Sequence, residues 1–428
     1  MITSINVYDI LEAFLLYPLG LLVQAVLQSL FTFLFGPKNK DIKDKDIAVC
    51  YHVVWDFKQH FIRGNGLHFF LLKFKELESI QVIEDDDVLL YDLTFQEFHF
   101  VRLRPGVDHR DIDLFPFVWT THSHAVEVIT IPRDTVVKYL KRKSLSSSDG
   151  GKDGGNITVL HNIGRCGSTL LTSMVHKTKQ FHVSSEPFPL LRLGSMMNKR
   201  NNTHPLDCED NLEMVKTTFL LICNKPDQRY FVKITGMFTG NLLHLVHKVL
   251  PGVKEMFMYR SLVPCLQSYA RGLGVLHLKG VGDQRIKRQP TRYLRIWEKI
   301  KATGSYKKYL FAMLCQMHPY YLESQSGRNL TAYSYESLLE HQEKFCKNLL
   351  FELGIKEELT SLALTALEKD SQLNSPLSKK ITRKAPQVEI PSGTWDWIAR
   401  IGREEFGIEM EGPQCRLTNV PNSWNDGS

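Results

Sequence analysis

The sequence predicts an α/β protein: an open parallel sheet flanked by helices, preceded by a small β-rich module and a hydrophobic N-terminal helix. Three observations carry this. A β-branched run, Ile157-Thr-Val-Leu160, passes through a glycine-bearing turn into Leu170–His176, which has helical spacing. Further on, the helical stretch Leu242–Leu250 returns through Pro251-Gly252 to the strand-like Lys254–Tyr259. Before both, residues 38–143 alternate apolar and polar positions over short runs. Strands alternating with helices make a parallel sheet.

Composition sets the outer bounds. With 43% hydrophobic, 11% aromatic and 23% charged residues, the chain has ample material for a packed core, which excludes disordered, collagen-like and coiled-coil proteins. At 428 residues it is too long for one minimal domain. Lys and Arg number 53 against 46 Asp and Glu, and the resulting +7 is too dilute for a dedicated nucleic-acid binder, so no nucleic-acid partner is expected. A small anion needs only a local basic site. The eight cysteines are scattered without the paired spacing of a zinc site, and their even number permits disulfides without indicating any.

The segments follow in order. Residues 1–37 form a hydrophobic membrane-anchor segment: no charge occurs from Ala13 to Pro37, and Phe14–Phe35 is long enough to cross a ~30 Å hydrocarbon core as a helix. A cleaved signal peptide fits less well, since no basic residue precedes the run. Pro18, Gln24 and Gln28 interrupt it and leave an interfacial or buried helix as the alternatives. Lys38, Lys40, Lys43 and Lys45 follow it, which by the positive-inside rule favours a cytoplasmic body.

Residues 38–143 read as a small β-rich module of unknown role, with strands at Asp87–Tyr91, Phe98–Val101 and Val126–Ile131 broken by Pro105-Gly106 and Pro132. His122 and His124 would share one face of a strand, but two histidines without a fixed third ligand do not make a metal site. Residues 144–155 are a flexible Ser/Gly linker by composition. Residues 156–385 follow as a P-loop-like domain, and 386–428 as a C-terminal extension.

The turn after Leu160 contains Gly164-Arg-Cys-Gly-Ser-Thr169. Strand, glycine turn and helix aim backbone N–H groups and a helix dipole at one point. Gly167 lets the backbone approach closely, and Arg165, Ser168 and Thr169 add donors. A Walker A loop would place Lys between Gly167 and Ser168, so an ATPase is disfavoured. A phosphatase-type Cys166 would want an arginine where Thr172 stands; Cys166 reads as a small loop residue. Arg260 ends the strand Lys254–Tyr259, and Ser268 lies on the following helix, where the two can converge on a second anion.

Together these loops resemble the sulfotransferases that use 3′-phosphoadenosine 5′-phosphosulfate (PAPS), over roughly residues 157–375. Gly164–Thr169 is similar to that family's 5′-phosphosulfate loop in the form of its membrane-bound carbohydrate and tyrosyl-protein branches. Tyr259-Arg260 through Ser268 resembles its 3′-phosphate motif, although Ser261-Leu262 replaces the usual Asp/Asn-Pro. Ser185-Glu186-Pro187, Phe231-Val-Lys233-Ile-Thr235, Tyr333-Ser-Tyr335-Glu336-Ser-Leu338 and Glu368-Lys-Asp-Ser-Gln372 fall in the family's order.

The resemblance implies a sulfotransferase-like fold, with PAPS as donor and no required metal. It implies a nucleotide site of Arg165, Cys166, Gly167, Ser168, Thr169, Arg260, Ser268 and Tyr335. The implied catalytic residues are Glu186 as the base on an acceptor hydroxyl, with Arg165 and Lys233 stabilising charge. His182 is the alternative base. The acceptor would be a carbohydrate or protein hydroxyl, and the basic residues Arg285 to Lys299 would suit an acidic glycan or peptide. The branch also implies a single-pass Golgi protein with a lumenal body, opposite to the orientation that the lysines favour. Two other readings remain open: a non-catalytic membrane protein retaining the fold, and a different P-loop nucleotide-binding enzyme.

Overall fold

The computed structural model of the chain describes residues 46–56, 70–108, 121–146, 154–200, 205–273 apart from 226, 235, 237 and 238, 286–300 apart from 288, 303–368 apart from 329, and 391–424 apart from 392, together with residue 26. The expected anchor run at 14–35 therefore lies outside the described residues except for residue 26; among the described residues no helix is long and apolar enough to cross a membrane. The chain forms two compact units, one comprising residues 1–109 and 119–147, the other 110–118 and 148–428.

The first unit is an antiparallel sheet followed by a helix. Its strands are β1 (Ile47–Asp56), β2 (Phe70–Ser79), β3 (Val88–Leu93), β4 (Glu97–Leu103) and β5 (Ala125–Pro132), in spatial order β2-β1-β5-β4-β3. The three expected strand runs became β3, β4 and β5. His122–His124 differs from expectation: it is a 3-10 turn closed by the His124 N–H on the Thr121 carbonyl at 3.2 Å, and the strand starts only at Ala125. The histidines therefore do not share a strand face. Helix α1 (Arg133–Ser146) begins directly after Pro132 and runs into the stretch expected to be linker.

The second unit is the expected open parallel sheet flanked by helices. Its elements are β6 (Ile157–Asn162), α2 (Ser168–Lys177), β7 (His182–Ser185), α3 (Phe188–Arg200), α4 (Glu209–Ile222), β8 (Tyr230–Lys233), α5 (Thr239–Val249), β9 (Lys254–Tyr259), α6 (Leu262–Leu273), α7 (Thr291–Ile300), α8 (Ser305–Gln325), β10 (Thr331–Ser334), α9 (Tyr335–Glu340), α10 (Gln342–Glu352), α11 (Thr360–Leu364) and α12 (Gly393–Phe406), then the short hairpin β11 (Met410–Glu411) and β12 (Arg416–Leu417). The parallel order is β10-β9-β6-β8-β7. Every residue of the central strand β6 is buried, because helices cover both faces of such a sheet. Trp397, Ile398, Ile401 and Phe406 of α12 lie in the same hydrophobic core as β6 and β9 residues, so this helix of the expected C-terminal extension is built into the unit.

Strand order fixes where a ligand can enter. After β6 the chain leaves toward β7 and β8; after β9 it leaves toward β10, on the other side. The adjacent strands β6 and β9 thus form a topological switch point, whose crevice opens at their carboxyl ends.

Candidate functional site

Four strands deliver the expected site residues to that carboxyl edge. Arg165–Thr169 follow β6, Glu186 follows β7, Lys233 ends β8, and Arg260 follows β9, while Tyr335 opens α9 directly after β10.

The turn after β6 is fixed by its own side chains. Asn162 Oδ1 accepts from the Gly164 N–H at 2.8 Å, and Asn162 Nδ2 donates to the Ile234 carbonyl at 2.5 Å, tying the turn to the end of β8. Gly236 lies so close that a Cβ there would sit 2.6 Å from the Gly164 nitrogen and 2.7 Å from the Asn162 oxygen. Gly167 is left-handed, φ 87°, and serves as the N-cap of α2. A Cβ on it would lie 2.3 Å from the Tyr335 ring, so only glycine fits both the backbone conformation and the space. Cys166 is fully buried and its thiol is pushed above the ordinary value by that burial, which makes it a packed loop residue rather than a thiolate.

Lys233 and Glu186 form the second part. Lys233 is 1% exposed, donates to Thr169 Oγ1 at 2.8 Å and meets Glu186 Oε1 at 2.7 Å. The Glu186 N–H donates to the Lys233 carbonyl at 2.8 Å, and Glu186 itself has φ 55°. The backbone therefore sets the carboxylate against the ammonium. Thr169 accepts from Lys233 and so keeps its own proton to donate. His182 stands at the opposite end of β7, against the Tyr230 ring, and is not placed to act with this group.

The arginines form the third part. Arg165 Nε donates to Ser268 Oγ at 2.9 Å, so residues assigned to separate anion sites meet directly. Arg260 lies with its guanidinium carbon 4.4 Å from the centre of the Tyr335 ring, and one of its terminal nitrogens is 3.5 Å from the Arg165 carbonyl oxygen. Its Nε is buried without a hydrogen-bond partner among the described residues. Burial lowers the Arg165 pKa from its ordinary value; Tyr269 and Cys265 oppose the shift, and the like charge of Arg260 adds to it. An arginine does not release its proton in a protein, so Arg165 remains a cation here.

Sequence reasoning named Arg165, Cys166, Gly167, Ser168, Thr169, Glu186, Lys233, Arg260, Ser268 and Tyr335, and all lie at this edge or on the helices leaving it. It gave no role to Glu336, whose carboxylate accepts the Ser261 N–H at 3.1 Å, or to Asn162 and Gly236, which brace the first turn. Glu336 was within reach, being part of a quoted motif; Gly236 carried no signal beyond its place after a strand. Thr235 lies outside the described residues. Among the described residues no group of His, Cys, Asp and Glu is arranged to hold a metal ion, and all eight cysteines are free thiols.

No protein-family model and no curated protein sequence matches the chain. Solved sulfotransferase structures do resemble it, as the motifs led us to expect. One is the sulfotransferase domain of the Synechococcus PCC 7002 olefin synthase, 12% identical over 60% of this chain and 98% of that one, with a TM-score of 0.33. Another is a sulfotransferase from Alicyclobacillus acidocaldarius, 11% identical over 57% of this chain and 90% of that one, at 0.32. A third is retinol dehydratase in complex with androsterone and the inactive cofactor PAP, 14% identical over 50% and 64%, at 0.29. A likeness of that degree carries no functional argument for this chain, whose own loops must supply it.

Proposed function

We propose that this protein is a membrane-anchored sulfotransferase that moves a sulfuryl group from PAPS to a hydroxyl of a carbohydrate or protein acceptor. The observation that carries the reading is the excess of positive charge at the switch point. Arg165 and Arg260 come from the loops of adjacent strands, Lys233 donates to Thr169 of the first of these loops, and the Arg260 Nε is buried with no partner among the described residues. Such a cluster fits a ligand with two separate anionic groups.

Bound PAPS would supply an activated sulfuryl group and a 3′-phosphate that distinguishes it from ATP. Residues 164–169 would hold the phosphosulfate end through backbone N–H groups, the α2 N-terminus and the Thr169 hydroxyl. Arg260 would hold the 3′-phosphate, with Ser268 keeping Arg165 beside it. Glu186 would take the acceptor hydroxyl proton, and Lys233, already between Glu186 and Thr169, would offset charge developing on the oxygens. Positioning and charge stabilisation do most of the work in such transfers. The exposed Arg292 and Arg295 on α7 support an acidic acceptor, whereas Lys299 is already paired with Glu405 at 2.6 Å. The hydrophobic run at 14–35 supports a membrane anchor, and a Golgi location follows from the resembled branch.

The test is calorimetric binding of 3′,5′-ADP and ADP to the full chain, without metal. The expected result is a clear preference for 3′,5′-ADP, lost by about 10²-fold in Arg260→Ala, with ADP binding changed only a few-fold. Equal loss of both ligands would refute the assignment of Arg260. Binding of ADP that depends on Mg²⁺ would instead favour a different nucleotide-binding enzyme.

A further inference from the structure

The last described residues return to the carboxyl edge and enclose the loop that carries Arg260. On one side, the Tyr259 hydroxyl lies 2.6 Å from Ser423 Oγ. On the other, the Ser261 N–H donates to Glu336. The next two N–H groups, those of Leu262 and Val263 in the first turn of α6, donate to the Cys415 and Gln414 carbonyls at 3.4 and 3.3 Å.

The strap is itself anchored. The Ala332 N–H donates to the Asn422 carbonyl at 3.1 Å and the Trp424 N–H to the Ala332 carbonyl at 2.9 Å, so the tail extends the parallel sheet beyond β10. Tyr321 donates to Asn419 Oδ1 at 3.1 Å, Tyr320 to the Pro421 carbonyl, and Trp424 packs edge-on against Phe345.

This arrangement has a chemical result. First-turn N–H groups are orphan donors and form the positive end of the helix dipole, a ready place for an anion. In α6 two of them are taken by strap carbonyls, which withdraws that helix end from competition. The residues on either side of Arg260 are held from outside the loop, while its own Nε stays buried and unmatched among the described residues. The donor left for an anion is the guanidinium, set over the Tyr335 ring.

We propose that the C-terminal strap, through Gln414, Cys415 and Ser423, acts with Glu336 to position Arg260, and so sets the selectivity for a 3′-phosphorylated nucleotide over its unphosphorylated counterpart. This rests on the reading of Arg260 given above. None of these four residues touches a reacting atom in it; they are positioning residues.

The experiment uses the full chain and measures the Kd of 3′,5′-ADP and of ADP, with thermal unfolding alongside, for Ser423→Ala, Glu336→Ala and Ser423→Thr. The first two should weaken 3′,5′-ADP by about 3- to 10-fold, the scale of one hydrogen bond, and leave ADP within about twofold. Ser423→Thr, which restores the hydroxyl, should bring the preference back. Parallel loss of both ligands, or an unchanged ratio, would overturn the strap's role while a preference in the unsubstituted protein kept the donor reading intact. Absence of that preference in the unsubstituted protein would bring down both. Should Ser423→Ala fail to fold, Tyr259→Phe removes the same hydrogen bond and keeps the ring, with the same outcomes decisive.

Discussion

Two charged clusters in this chain are built on opposite plans. On the first unit's sheet, Arg102 lies within 3.6 Å of Glu78 and 3.0 to 3.1 Å of Asp85, Asp87 and Glu127, and Lys75 within 3.5 Å of Glu76, Glu78 and Glu127. Five carboxylates share two cations there. At the carboxyl edge of the second unit's sheet, Lys233 meets Glu186 at ion-pair distance, and the Arg260 Nε is buried without a hydrogen-bond partner among the described residues. Lys75 is held above the ordinary lysine value by hydrogen bonds to Glu76 and then Glu127, whereas Arg165 is driven below the ordinary arginine value by burial. The first cluster satisfies its cations internally. The second leaves the buried Arg260 Nε unmatched among the described residues, which is the condition of a site awaiting an anion.

The comparison is sharpened most by removing the carboxylate that faces Lys233. Glu186→Gln leaves Lys233 buried without its ion partner and should cost about 3–5 kcal/mol in denaturant unfolding. Adding Lys233→Met should recover most of that loss, since an apolar side chain of similar length needs no counter-charge. A single change without effect would mean that the pair does not hold Lys233 in place.

A smaller effect comes from the turn that orders the positive cluster. Gly167→Ala must adopt φ 87° and displace the Tyr335 ring, at about 1–3 kcal/mol. Tyr335 lies beneath Arg260, so nucleotide binding should fall together with stability. Adding Tyr335→Ala would relieve the collision but not the backbone, giving partial recovery of stability; full recovery would show that the left-handed conformation is unimportant.

The smallest effect is expected in the acidic cluster. Arg102→Met removes a cation from four carboxylates and should lower stability by about 1 kcal/mol, because pairs in partial contact with water contribute little. The loss should shrink at about 1 M salt, where the screening length is ~3 Å. A loss as large as that of Glu186→Gln, or one indifferent to salt, would break the contrast between the clusters.

Local signals made much of this legible. The β-branched run before the glycine turn revealed β6 and α2, and Pro251-Gly252 marked the return to β9, whose limits coincide with the expected strand. Arg260 and Ser268 were visible through their separation along the chain. What could not be read was contact between distant segments: the Arg165–Ser268 hydrogen bond, the Asn162 tie to Ile234, and the strap on α6. Backbone carbonyls such as those of Gln414 and Cys415 leave no mark in side-chain chemistry. His122–His124 misled because a short polar stretch before a strand has no periodicity to separate turn from extension.

The pairing of β6 also has a bearing on how the chain acquires its structure. Its neighbours are β8 and β9, with Ile157 opposite Tyr230 and Thr158 opposite Lys254, so neither partner is nearby in sequence. Non-local parallel pairing of this kind is slow, because a long loop must close before any contact rewards it. During synthesis β6 emerges well before the strands that will cover its edges. Until they arrive, Ile157–Leu160 is an exposed, strand-forming segment of the sort that chaperones protect. The strand that anchors the glycine turn is thus the first of its sheet to be made, yet it is secured only when β8 and β9 follow.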